Sequence, residues 1–161
     1  MKFKYKLFIS FIATSVVVLT SPYINLDNSN KNIVGIQSAV AQRIASSDAW
    51  RKLYQQLPDF PRENKYVSKK TRKVSENHTL ARRLIRYHVF VKGRAPNTRL
   101  DWKLTLADYL GANEIMYDSS YPGADTLRKN PIDSDRTAIK RLNRTQRNTL
   151  IQTLVNIFNQ Q

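Results

Sequence analysis

Hydrophobic positions along this chain follow two regimes. Leu7 to Leu19 (LFISFIATSVVVL) is one unbroken apolar run, whereas from about residue 46 onward apolar residues return at helical spacing among polar ones. Trp50, Leu53, Tyr54 and Leu57 fall at i, i+3, i+4 and i+7, the stripe of a first helix that Ser46 or Ser47 can cap and Pro58 ends. The segment PDFPREN continues as an extended connection, since a residue before proline is pushed out of helical geometry. Residues 65–73 (KYVSKKTRK) have little apolar periodicity and read as a loop or short hairpin. Asn77 or Thr79 opens a second helix, with Leu80, Leu84, Tyr87 or His88, and Val91 at helical spacing. Arg82, Arg83 and Arg86 lie on or beside its opposite face, and Gly93 suits the left-handed position just beyond it. YHVFV is dense in β-branched and aromatic residues, so a buried strand is its alternative.

Further on, Leu100, Trp102, Leu104 and Leu106 alternate like a strand, yet Leu106, Ala107, Tyr109 and Leu110 before Gly111 read as a capped helix. Thr105 with Asp108 resembles a capping box, so a helix starting at Thr98 or Thr105 and ending at Leu110 is predicted. A turn-rich connection follows, from Ser119 to Pro131. Asp133 to Asp135 can cap a short helix over Arg136 to Leu142. Asn143 with Gln146 forms an N-x-x-Q capping box that opens the last helix. There Leu150, Ile151, Leu154, Ile157 and Phe158 make a wide apolar stripe, and Arg147, Asn148 and Gln152 face water. The predicted fold is all-α: a small bundle of four to five helices with long basic loops.

The first regime reads as an address. Lys2, Lys4 and Lys6 precede the 13-residue apolar run, and Ala39-Val40-Ala41 offers a small-x-small cleavage pattern before Gln42. Residues 1–41 are therefore assigned as a secretory signal peptide and 42–161 as a single helical domain. The run is shorter than the ~20 apolar residues that span a bilayer as a helix. Ala41 nevertheless lies 22 residues past Leu19, so an uncleaved N-terminal anchor is the alternative. Either way the expected location is exported: periplasm, thylakoid lumen or extracellular space.

Charge adds a second signal. The chain has 27 Lys and Arg against 12 Asp and Glu; leaving out the four lysines and one aspartate of residues 1–41 gives 23 against 11, a net of +12 on 120 residues. Such a domain attracts anionic lipid headgroups, acidic proteins, acidic polysaccharide or nucleic acid. Cysteine is absent, so disulfides, thiolate nucleophiles and cysteine metal sites are excluded and packing alone holds the fold.

Catalytic chemistry has little to work with. His88 could pair with Asp101 or Asp108 as a general base, against the alternative of a partly buried histidine bonded to a carboxylate or carbonyl. His78 reads as a helix-start residue. No metal-ligand spacing, P-loop, G-x-G-x-x-G or G-x-S-x-G pattern is present, so no catalytic residue, cofactor or metal is assigned. Tyr66 and Tyr87 beside basic residues could stack on bases, but export places most nucleic acid out of reach. Asp101, Asp108, Arg94 and Arg99 around Trp102 look like internal ion pairs fixing a turn.

The stretch RLIRYHVFVKGRAPNTRLDWKLTLADYLG, together with the leader ending in AVAQ, resembles small conserved exported proteins of cyanobacteria. That resemblance covers about residues 47–160 and implies a periplasmic or lumenal setting, with no activity, cofactor or site residue to carry over.

The leading functional expectation is an exported, basic, non-enzymatic accessory domain engaging an anionic membrane surface or an acidic protein. Its contacts would be Lys65, Lys69, Lys70, Arg72 and Lys73 in the loop and Arg82, Arg83 and Arg86 on the helix. The alternatives are a polyanion binder for nucleic acid or acidic polysaccharide, and a small hydrolase using His88 with Asp101 or Asp108. Oligomeric state is left open.

Overall fold

The structure, a computed structural model, describes residues 48–160. The leader, the cleavage site at Ala41 and the Ser46 or Ser47 cap lie outside the described residues. Five α-helices run through the described part: α1 (48–56), α2 (Leu80–Arg86), α3 (Arg99–Leu110), α4 (Ile132–Arg141) and α5 (Arg144–Asn159). A π-helical turn, Tyr87–Val91, extends α2, and a 3-10 turn, Asp118–Ser120, lies between α3 and α4. Extended pairing is limited to isolated antiparallel bridges, and the described residues form a small all-α bundle.

The stripes predicted on α1 and α5 are the ones buried. Trp50, Leu53 and Tyr54 enter the core with Leu57 half-buried behind them, and Leu150, Ile151, Leu154 and Ile157 enter from α5. Asn143 accepts from the Gln146 backbone N–H at 2.9 Å while the Gln146 side chain accepts from the Asn143 N–H at 2.8 Å, the reciprocal capping box. α3 packs on both α4 and α5. At its centre the Trp102 ring stacks on His88, centroids 3.6 Å apart and 7° from parallel, while its Nε1 donates to the Pro96 carbonyl at 2.7 Å.

One local reading is resolved and two are corrected. α3 starts at Arg99 behind Thr98, the first of its two predicted starts, and Thr105 is instead a core residue: Trp102, Thr105, Leu106 and Tyr109 form the buried face at helical spacing. A polar residue completing that stripe disguises its period, and Leu100, the start of the apparent alternation, is exposed. α4 starts at Ile132 after Pro131, so Asp133 and Asp135 sit inside its first turn instead of capping it. The second helix runs on through YHVFV as predicted, but its last turn is π-helical, with the Lys92 N–H donating to the Tyr87 carbonyl at 2.9 Å. This wider turn lets the consecutive Tyr87, His88 and Val89 all be buried before Gly93, at φ +60°, ends the segment.

Candidate anion-binding surface

α1 and α2 are joined by residues 57–79, an irregular connection well beyond the about 12–15 residues usual for structureless loops. Its outer part is the basic hairpin. Val67 bridges Val74, the Ser68 N–H donates to the Lys73 carbonyl at 2.9 Å, and Arg72 turns the chain at φ +57°, a left-handed backbone that a side chain makes costly. Ser68 also bridges Leu127, with the Lys69 N–H on the Thr126 carbonyl at 2.8 Å and the Arg128 N–H on the Val67 carbonyl at 2.9 Å. Lys65, Lys69, Lys70, Arg72 and Lys73 are all exposed, and the Lys69 ammonium reaches the Ala124 carbonyl at 3.0 Å.

On α2 the three arginines part company. Arg86 is exposed and Arg82 half-buried, its guanidinium held below its ordinary range by burial and by repulsion from Arg86 and Arg51. The same clustering, after burial, depresses the His78 imidazole through Arg82, Arg83 and Arg86. Arg83, expected among the surface contacts, is instead 1% exposed. It forms a bidentate pair with Asp135, Nε to Oδ2 and Nη2 to Oδ1 both at 2.6 Å, and donates further to the Glu63 carbonyl at 2.7 Å and to the His78 carbonyl. Tyr121 donates to Asp135 at 2.5 Å and its hydroxyl meets that of Tyr109 at 2.8 Å. Burial pushes the Asp135 carboxyl up, while that carboxylate holds the Arg83 guanidinium above its ordinary value despite burial. Arg83 sits i+3 from Leu80 on the inner face, and a buried arginine survives there only because Asp135 is brought opposite it.

The cluster around Trp102 is likewise internal. Asp108 accepts from Arg94 at 2.6 Å, from Asn113 at 2.7 Å and from the Glu114 N–H at 2.9 Å. Burial raises its carboxyl less than these donors lower it. Arg99 leaves the cluster for Gln152, and Asp101 accepts from Thr98 and the Ala95 N–H. His88 is fully buried, Nδ1 at 2.8 Å from the Thr105 hydroxyl and Nε2 at 3.2 Å from the Ala95 carbonyl; neither Asp101 nor Asp108 is its hydrogen-bond partner. Burial drives its pKa down to about 4, so the ring is neutral at pH 7. Tyr87 is buried, edge-on to Tyr109, whereas Tyr66 is half-buried, with the Arg83 guanidinium over its ring and its hydroxyl on Ser134, and it lines the cleft beside the hairpin.

The ion pairs among the described residues use Arg51, Arg83, Lys92 and Arg94, and none uses the hairpin cations, Arg82 or Arg86. A cleft of about 600 Å³ adjoins the hairpin, lined by Arg62, Lys65, Arg128 and Lys129 with Glu63 the one acid. Arg62, Arg128 and Lys129 belong to the surface and were not singled out from the sequence. Their signal was a basic residue in PDFPREN and a basic pair before Asn130-Pro131, and only the Ser68–Leu127 bridge brings the pair beside Lys65. Among the described residues no group of three or more metal-ligating side chains occurs, and no helix is long and apolar enough to cross a membrane. Comparison with family models, curated proteins and solved structures finds no match.

Proposed function

We propose that residues 42–161 form an exported, non-enzymatic binding domain whose basic surface takes an acidic protein partner in the periplasm or thylakoid lumen. The observation that carries this reading is the division of labour among the cations. Arg83 and Arg94 are consumed by buried carboxylates, whereas Lys65, Lys69, Lys70, Arg72, Lys73, Arg82 and Arg86 stand outside every ion pair of the described residues. Such a surface supplies long-range attraction and a fast encounter with a partner of opposite sign. The burial of Tyr87 inside the fold weighs against its stacking on single-stranded nucleic acid, which needs exposed aromatic faces.

An anionic membrane surface is the second reading, favoured by Val74, 53% exposed directly after Lys73 on the hairpin. Each Lys or Arg near such a surface contributes about 1 kcal/mol. The test is binding of the full chain, held in non-ionic detergent, to a labelled glutamate-rich polypeptide, to mixed micelles with and without phosphatidylserine, and to single-stranded DNA, each across a salt titration. Preferential binding to the polypeptide supports the acidic-protein reading. Preference for phosphatidylserine micelles replaces it with the membrane reading, and steepest binding to DNA removes both.

A further inference from the structure

One narrow line along the second helix faces outward. From Leu80 to Phe90 every residue is buried except Arg82, Arg86 and Phe90, which recur at every fourth position. In an α-helix each i+4 step drifts a little past one full turn. The π-helical turn over Tyr87–Val91 holds more residues per turn, so its i+4 step falls short and brings Phe90 back into line with Arg86. A wider turn also climbs less per residue, and the three positions share a strip about 10 Å long.

Both kinds of side chain on this strip are unpartnered within the fold. Phe90 is 51% exposed and the adjoining Val91 38%, directly after the buried Val89. Neither Arg82 nor Arg86 pairs with a carboxylate among the described residues. Arg82 is half-buried, and its guanidinium reaches only the Asn77 carbonyl, at 3.4 Å. The charges facing it are cations: Arg86 on its own helix and Arg51 on α1, which already holds Asp48. The fold has drawn this arginine partly out of water without giving it a counter-ion, an arrangement that an incoming carboxylate relieves.

We propose that the strip grips an acidic amphipathic helix of the protein partner. A carboxylate opposite each arginine meets its planar fork through paired hydrogen bonds, and an apolar side chain covers Phe90. Arginine and aromatic side chains are the types that anchor protein interfaces. A helix suits the strip better than an extended peptide does. The N–H groups of α2 are bonded within the helix, so the incoming backbone must satisfy its own. A lipid surface has no fixed spacing of charges that would reward this alignment. The hairpin cations then attract the partner from a distance, and the strip fixes where it docks. This inference rests on the acidic-protein reading and names its contact face.

The experiment uses the full chain in non-ionic detergent and labelled alanine-based helical peptides. Two of them carry a pair of glutamates and a leucine at i, i+4 and i+7, in opposite orders, which puts all three on one face. A third has the same composition with the leucine moved to the opposite face. The better of the aligned peptides is expected to bind about fivefold more tightly than the third, as an interface anchor contributes. Phe90→Ser is expected to abolish that preference without changing the binding of the third peptide. Arg86→Gln should weaken the aligned peptide by up to about fivefold, the range of one exposed ion pair. Lys140→Gln removes the same charge from the exposed side of α4 and should change binding less than about twofold. Equal binding of aligned and displaced peptides, or a preference unchanged in Phe90→Ser, overturns the strip and leaves acidic binding in place. Failure of all three peptides while the glutamate-rich polypeptide still binds does the same. A loss in Phe90→Ser confined to phosphatidylserine micelles assigns the ring to a membrane and also overturns the strip. No binding of the peptides or of the polypeptide overturns both.

Discussion

At the residue scale, the buried polar side chains decide how this fold responds to pH and to mutation. His88 is held neutral, its folded pKa of about 4 lying below its ordinary 6.5. The unfolded chain therefore takes up a proton at this histidine between pH 6.5 and about 4 while the folded chain does not, and stability falls through that window as pH falls. The full effect is on the order of 3 kcal/mol, complete once pH reaches the folded value. Urea denaturation across this window should show the loss in the natural protein and a smaller one in His88→Gln. His78, depressed in the same direction, accounts for part of what remains. Asp108 adds a later step, because its folded pKa lies below the ordinary 3.8 and its contribution is lost only as pH falls through the folded value. Asp135→Asn leaves the Arg83 guanidinium buried beside a neutral amide and should cost about 3–5 kcal/mol in urea denaturation. Arg83→Met with Asp135→Leu removes both charges and should recover much of that loss.

At the element scale, helix ends carry information that apolar stripes do not. The Asn143 and Gln146 box sits at the exposed start of α5, so Asn143→Ala should lower stability by about 1 kcal/mol without disturbing the core, visible as a drop in Tm. Its signature was legible because capping depends on two side chains three residues apart. α3 was harder to read, since Thr105 belongs to its buried face through bonds to His88 and Arg94, partners 17 and 11 residues away. The beginning of α4 was misplaced for the same reason. Asp135 looks like a cap in sequence, and its true partner, Arg83, lies 52 residues earlier.

At the scale of the molecule, the excess of positive charge becomes a surface only after the core has taken its share. Neutralising Lys69, Lys70, Arg72 and Lys73 to glutamine should leave Tm within a degree or two, because these side chains are exposed and outside ion pairs. The same change should flatten the dependence of acidic-polypeptide binding on salt, measured by anisotropy across a salt titration. A large fall in Tm would instead mean that the hairpin supports the fold through the Ser68–Leu127 pairing.

The sequence by itself determined the helical class, the stripes of α1 and α5, the cap at Asn143 and the concentration of charge around residues 65–73. Those properties depend on residues within a few positions of one another, where periodicity and capping act. Only the tertiary structure decided which cations are spent inside and which remain outside. Arg82, Arg83 and Arg86 are alike in sequence, yet burial forces Arg83 to find a carboxylate while solvent relieves Arg86 of that need. Tertiary pairing likewise set Arg128 and Lys129 beside Lys65, because a bridge between distant segments leaves no local periodicity to read.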